Sequence, residues 1–195
     1  MDDSMPRTDP RVLRTRELLR NAVIELMEEM DIQKISVNRI AERAKINRVT
    51  FYLHYRDIPD MLEMMADDMV EDITQVVRSN HAENPELPGK NEDWPILEGL
   101  LTHIAENAKF YKIVLTSRRS TIFADRLFNL MGEMISERVE RKVSAADISK
   151  VSIQKDVAIW YGSAALIGTI IAWLRNDMPY TPSYLARQIT SLRSK

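Results

Sequence analysis

Apolar residues recur at three- and four-residue steps through almost every long segment of this chain. That period places side chains on one face of an α-helix, whereas a half-buried strand needs strict alternation. Leu19, Ala22, Val23, Leu26, Met27 and Met30 form one such stripe within residues 11–30. A second runs through Ile58, Met61, Leu62, Met65, Met69, Ile73 and Val76. Others follow at Leu97, Leu100, Leu101, Ile104, Ala105 and Ala108, at Phe123, Leu127, Leu130, Met131, Met134 and Ile135, and at Tyr184, Leu185, Gln188, Ile189 and Leu192. With just 5 glycines in 195 residues to interrupt them, these stripes predict an all-α protein of about nine helices. The length suits one large or two small domains.

Several chemistries find no residues to carry them. There is no cysteine, so disulfides, thiol catalysis and thiolate metal sites are excluded, and a reducing cytoplasm is the expected location. His54, His81 and His103 fall on separate elements without metal-ligand spacing. GxSxG, a glycine-rich phosphate loop and HExxH are all missing. The chain is therefore expected to be no enzyme, to hold no metal and to need no cofactor. The opening residues MDDSMPRTDP are acidic and lack an apolar core, unlike a signal peptide; residues 1–10 read as a polar arm. Residues 157–174 contain no charge, the lower edge of a membrane span. Gly162, Ser163, Gly168 and Thr169 within that run, and flanks (Asp156, Arg175) without a positive cluster, favour a buried helix at a dimer contact instead. Gly162, Ala164, Ala165 and Gly168 would let a partner helix approach. Residues 79–93 read as a loop, and Thr181-Pro182 as the cap and first turn of the last helix.

The stretch from 36 to 55, SVNRIAERAKINRVTFYLHY, carries the functional signal. Ser36 can cap a first helix, along which Val37, Ile40, Ala41 and Ala44 form an apolar stripe. Ala44-Lys45-Ile46 is the turn. Asn47 can cap a second helix over residues 48–55, with Phe51 and Tyr55 facing inward and Arg48, Thr50, Tyr52 and His54 outward. Charge concentrates here. Lys34, Arg39, Arg43, Lys45, Arg48 and Arg56 stand against the single acid Glu42, whereas residues 57–77 hold seven acids and neither Lys nor Arg. A basic patch confined to one short motif is the footprint of a local DNA contact. Asn38, Asn47 and Arg48 are the candidates for base edges, and Ser36, Thr50, Tyr52 and His54 for phosphates.

The run Thr50-Phe51-Tyr52-Leu53-His54-Tyr55, following Ile40-Ala41-Glu42-Arg43-Ala44, resembles the helix-turn-helix of TetR-family transcriptional regulators. The resemblance implies a DNA-binding domain over residues 13–73, its first three helices including the helix-turn-helix at 36–55. A regulatory and dimerisation domain would occupy residues 74–195. It further implies a homodimer on a palindromic double-stranded operator, joined through the last two helices, and repression relieved by a small-molecule effector. Trp94, Phe110, Tyr111, Phe123, Phe128, Trp160 and Tyr161 are the candidates to line the effector pocket. Three positions depart from the family pattern: Lys45 where glycine is usual in the turn, Val49 where Gly, Ala or Pro is frequent, and Ile58 where lysine is frequent. The C-terminal half, with FYKIVLTS and WLRNDMPYTP, is similar to the group that includes the dihydroxyacetone-kinase activators. That likeness leaves a second reading open at this point: a coactivator that works through a protein partner without reading DNA.

Overall fold

A computed structural model describes residues 9–83, 93–116, 121–145 and 154–193, the side chains of 80–83, 93, 94, 138–145 and 193 apart. Every described element is helical: α1 (Pro10–Glu29), a 3-10 turn (Ile32–Lys34), α2 (Val37–Arg43), α3 (Arg48–Tyr52), α4 (Ile58–Glu83), α5 (Asp93–Glu106), α6 (Ala108–Thr116), α7 (Ile122–Ala145), α8 (Lys155–Arg175) and α9 (Pro182–Arg193). The all-α expectation holds among the described residues. The chain divides into two compact units, Met1–Met65 and Ala66–Lys195, so the division falls within α4.

The first unit is built from α1, α2, α3 and the start of α4. Asp9 accepts the Arg11 N–H at 2.9 Å and Pro10 takes the first helical position, where its missing N–H costs nothing. Pro10 therefore opens α1 rather than closing an arm; residues 1–8 lie outside the described residues. Leu19, Ala22, Val23, Ile24 and Leu26 of α1 meet Ile35, Ile40, Ala41, Ala44, Phe51 and Tyr55, all buried. Met27 and Met30 stay half-buried at the rim of this core. Asp57 accepts the Asp60 N–H at 2.8 Å while the Asp60 carboxylate accepts the Arg56 N–H at 2.9 Å. The Asp57 cap starts α4, and the Asp60 carboxylate ties the chain just before it.

In the second unit α5 packs on α9, α7 and α6 on α8, and α6 on α7. Its core holds Met69 and Ile73 of α4 with Leu100, Leu101, Ile104, Tyr111, Val114, Phe123, Leu127, Ile170 and Leu174. The α4 methionines Met61, Met65 and Met69 are fully buried filler, a use suited to their unbranched, adaptable side chains. The expected loop at 79–93 is shorter than the sequence suggests, because α4 continues to Glu83 and α5 begins at Asp93; residues 84–92 lie outside the described residues. Trp173 donates its indole N–H to the Tyr180 carbonyl at 2.9 Å, fixing the α8–α9 connection. Thr181 then accepts the Tyr184 N–H and Pro182 opens α9.

α8 has two different faces. Ser163, Ile167, Ile170, Trp173 and Leu174 are buried, whereas Val157, Trp160, Tyr161, Ala164, Ala165, Gly168 and Ala172 are exposed. By length and composition alone α8 could cross a bilayer, yet its buried side is taken up by α6 and α7. Its small residues also divide. A Cβ on Gly162 would lie 2.9 Å from Ile135 Cδ1 of α7, so Gly162 serves packing within the chain and not a partner helix. A Cβ on Gly168 would meet nothing within 4 Å.

Candidate nucleic-acid interface

The turn between α2 and α3 sets the presentation of α3. Ser36 accepts the Arg39 N–H at 3.4 Å and opens α2. At the other end Ile46 N–H donates to Ala41 O and Lys45 N–H to Glu42 O, the paired bonds of a Schellman motif. The motif needs a left-handed residue at Lys45, where φ is 55°. Asn47 then accepts the Val49 N–H through Oδ1 at 2.9 Å and starts α3. α3 is five residues long and ends at Tyr52, short of the expected 55. The His54 and Tyr55 N–H groups both donate to Phe51 O, at 2.9 and 3.0 Å, and the chain turns there into α4.

Phe51 is wholly buried and Tyr55 nearly so, which fixes the roll of α3 and sends Arg48, Val49, Tyr52 and Leu53 to solvent. Thr50 and His54 are half-buried; Ser36, Asn38 and Asn47 are exposed. Capping uses Ser36 Oγ and Asn47 Oδ1, so Asn47 has its amide N–H groups left for another partner. Arg48 donates through Nη2 to the Tyr52 hydroxyl at 3.0 Å, with its guanidinium carbon 5.4 Å from the ring centroid. His54 and Thr50 are the two candidates drawn partly into the fold. Burial, and then the nearby Arg16 guanidinium, push the His54 imidazole below the usual histidine value.

The basic patch is smaller than the residue count suggests. Arg43 donates to Glu25 at 3.2 Å and Glu29 at 2.8 Å, both on α1, and holds the Glu29 carboxyl below the usual carboxylate range. Arg56 pairs with Asp60 at 3.1 Å. Lys34, Arg39, Lys45 and Arg48 are exposed with no acidic partner among the described residues. Counting charges along the chain could not set Arg43 apart, because Glu25 and Glu29 come from another helix. Val49 and Leu53 also stand on the outward face. They are 65% and 77% exposed, an apolar surface beside Arg48 and Tyr52.

The described aromatic candidates for a pocket fall in different places. Phe110 meets Tyr111 and Phe123 edge-to-face at 5.2 and 5.8 Å, inside the second unit's core. His103 shares a 2.9 Å hydrogen bond with the Tyr111 hydroxyl. Phe128 and Trp160 lie apart from this cluster, on an open groove of about 640 Å³ between α7 and α8 that Asn129, Glu133, Ser136, Glu137 and Ile159 also line. Tyr161 is exposed; the Trp94 side chain is outside the described residues. Among the described residues no group of His, Asp and Glu has the arrangement of a metal site.

A family model named TetR_C_8, described as a transcriptional regulator C-terminal region, matches residues 92–195, more than half of the chain. The chain belongs to the TetR family of transcriptional regulators. Related sequences agree with that membership. An uncharacterised HTH-type transcriptional regulator of Bacillus subtilis, YxbF, is 21% identical over 91% of this chain and 44% of its own length. The class G tetracycline repressor protein of Vibrio anguillarum is 26% identical over 50% of this chain and 40% of its own. The chain thus spans less than half the length of these curated relatives.

Solved structures share the fold of this TetR-family chain. The dihydroxyacetone kinase operon activator DhaS superposes with a TM-score of 0.60 at 20% identity, covering 91% of this chain and 93% of DhaS. The Bacillus subtilis regulator FadR, solved in complex with stearoyl-CoA, gives 0.66 at 16% identity over 90% and 96%. The family model and the two curated relatives, a transcriptional regulator and a repressor by name, support the DNA-binding reading over the coactivator alternative. Of the three departures from the family pattern, Lys45 carries a backbone consequence, its positive φ. Val49 adds an exposed aliphatic surface beside Arg48, and Ile58 opens α4 half-buried.

Proposed function

We propose that this protein is a cytoplasmic, homodimeric TetR-family repressor that binds a palindromic double-stranded DNA operator and releases it when a small molecule binds. In this reading residues 13–73 hold the DNA and residues 74–195 receive the signal and dimerise. The observation that carries it is the outward face of α3. Phe51 anchors the helix in a small core while Arg48, Val49, Tyr52 and Leu53 stand in solvent, with Lys34, Arg39 and Lys45 uncompensated nearby in the chain. A capped helix whose first residue carries an exposed guanidinium without an acidic partner suits a major groove, where arginine reads guanine. Asn47 and Asn38 are the other candidates for base edges; Ser36, Thr50, Tyr52 and His54 are candidates for phosphates.

Two features of the second unit support the rest. The exposed small and apolar face of α8, from Val157 to Ala172, is the surface for the second subunit, and two-fold pairing there would match a palindromic site. The open α7–α8 groove, where Phe128 and Ile159 stand beside Asn129, Ser136 and Glu133, is the candidate place for the small molecule. Whatever binds there represses or derepresses only by favouring one arrangement of the two heads over the other.

The test is affinity for a duplex selected from a randomised pool, against a scrambled duplex, across a range of salt. The expected result is preference for the selected duplex and a log affinity that falls linearly with log salt, with a slope near −0.9 per phosphate neutralised. Equal binding to both duplexes, or binding indifferent to salt, contradicts the proposal.

A further inference from the structure

Arg48 and Tyr52 form a unit in the free protein. They stand four residues apart on α3, where side chains of one helical face meet. Arg48 Nη2 donates to the Tyr52 hydroxyl at 3.0 Å, and the guanidinium also lies 5.4 Å from the ring centroid, close enough for attraction to the ring face. Tyr52 is itself held. Its ring meets Phe51 edge-to-face, with centroids 5.5 Å apart and planes at 85°, and Phe51 has no solvent exposure. A line of contact therefore runs from the core through Phe51 and the Tyr52 ring to the arginine.

We propose that Tyr52 is a positioning residue for base reading: its hydroxyl and ring hold the Arg48 guanidinium in the orientation that pairs with a guanine edge. This rests on the DNA-binding reading above. An exposed arginine on a flexible stem samples many rotamers, and choosing one on binding opposes affinity. The bond to Tyr52 makes part of that choice in advance. It occupies one of the five guanidinium N–H donors, leaving four, of which a bidentate guanine contact needs two. The phenol oxygen accepts from Arg48 while its own O–H remains able to donate to a phosphate. Tyr52 thus couples a sequence-independent contact to a sequence-dependent one, and its hydroxyl affects selectivity without touching a base.

The experiment uses the full chain and a duplex selected from a randomised pool, with every single-base variant of that duplex, at one salt concentration. Wild type, Arg48→Ala, Tyr52→Phe and the double variant are compared, each first checked for wild-type helicity. Tyr52→Phe keeps the ring and its Phe51 contact and removes the hydroxyl. In wild type, one base pair per half-site should show a penalty of roughly 5- to 150-fold when its guanine is replaced. Arg48→Ala should abolish that penalty. Tyr52→Phe should reduce it by about threefold or more and leave the penalties at other positions unchanged. The double variant should match Arg48→Ala at that position, the non-additivity expected of two residues acting together. If Tyr52→Phe weakens every duplex by one common factor, Tyr52 is a phosphate contact alone and the positioning role is overturned. A wild-type protein without preference for any duplex overturns instead the DNA-binding reading beneath it.

Discussion

At the scale of single residues, Lys45 and His54 sit where their backbone or surroundings oppose them. Lys45 has φ 55° at the end of α2, a conformation that brings its Cβ against the following carbonyl and costs on the order of 1 kcal/mol. The two Schellman bonds from Ile46 and Lys45 hold it there. Lys45→Gly should relieve the strain and stabilise the head by up to about 1 kcal/mol, read as a higher urea midpoint; an unchanged or lower midpoint would show the strain is already relieved. His54 is displaced in the other sense. Its folded-state pKa lies below the ordinary histidine value because burial and Arg16 disfavour the imidazolium. Below about pH 6.5 the unfolded chain takes up the proton first, so stability falls as pH drops towards the folded value and then levels. Urea midpoints between pH 7.5 and 5.5 should decline for wild type and decline less for His54→Gln.

Between elements, glycine decides how closely α7 and α8 pack. A Cβ on Gly162 would stand 2.9 Å from Ile135 Cδ1, and one on Gly132 would stand 3.3 Å from Ile159 Cγ2. Each helix therefore places a glycine against an isoleucine of the other, which brings the helices close along the side of α8 that faces the interior. Gly162→Val should overpack this contact and destabilise the second unit by about 1–3 kcal/mol. A thermal melt unchanged from wild type would mean that Ile135 simply moves aside. In the first unit the tie between α1 and α2 is ionic as well as apolar, since Arg43 reaches Glu25 and Glu29 together. That arginine belongs to the scaffold of the head and not to its outward face.

For the molecule as a whole, the question is what covers α8. Val157, Trp160 and Tyr161 are about half to three-quarters exposed, and Ala164, Ala165, Gly168 and Ala172 continue that face. Gly168 has open space around it within its own subunit, so an arginine there should leave the subunit fold intact. In a dimer paired through this face the same arginine would be buried without a partner, a large penalty. Gly168→Arg is accordingly expected to give monomers or aggregates with wild-type helicity. Light scattering that still reports a stable, soluble dimer would remove α8 from the interface.

The properties legible in the sequence are the local ones. The three- and four-residue steps fixed which segments are helices, since that period belongs to the chain itself. Ser36, Asn47 and Thr181 marked helix starts because a cap bonds an N–H two or three residues away. The Thr50–Tyr55 run pointed to the family for the same reason, as its residues share one short stretch. Tertiary structure decided whatever depends on partners distant in sequence. It assigned Gly162 to α7 and left Gly168 open, though both read as small residues on one helix. It removed Arg43 from the free cations by bringing α1 against α2. It also sent Phe110, Tyr111 and Phe123 into the core and Phe128 and Trp160 to a groove. Periodicity says that a face is apolar, whereas which neighbour meets that face is set by how the helices pack.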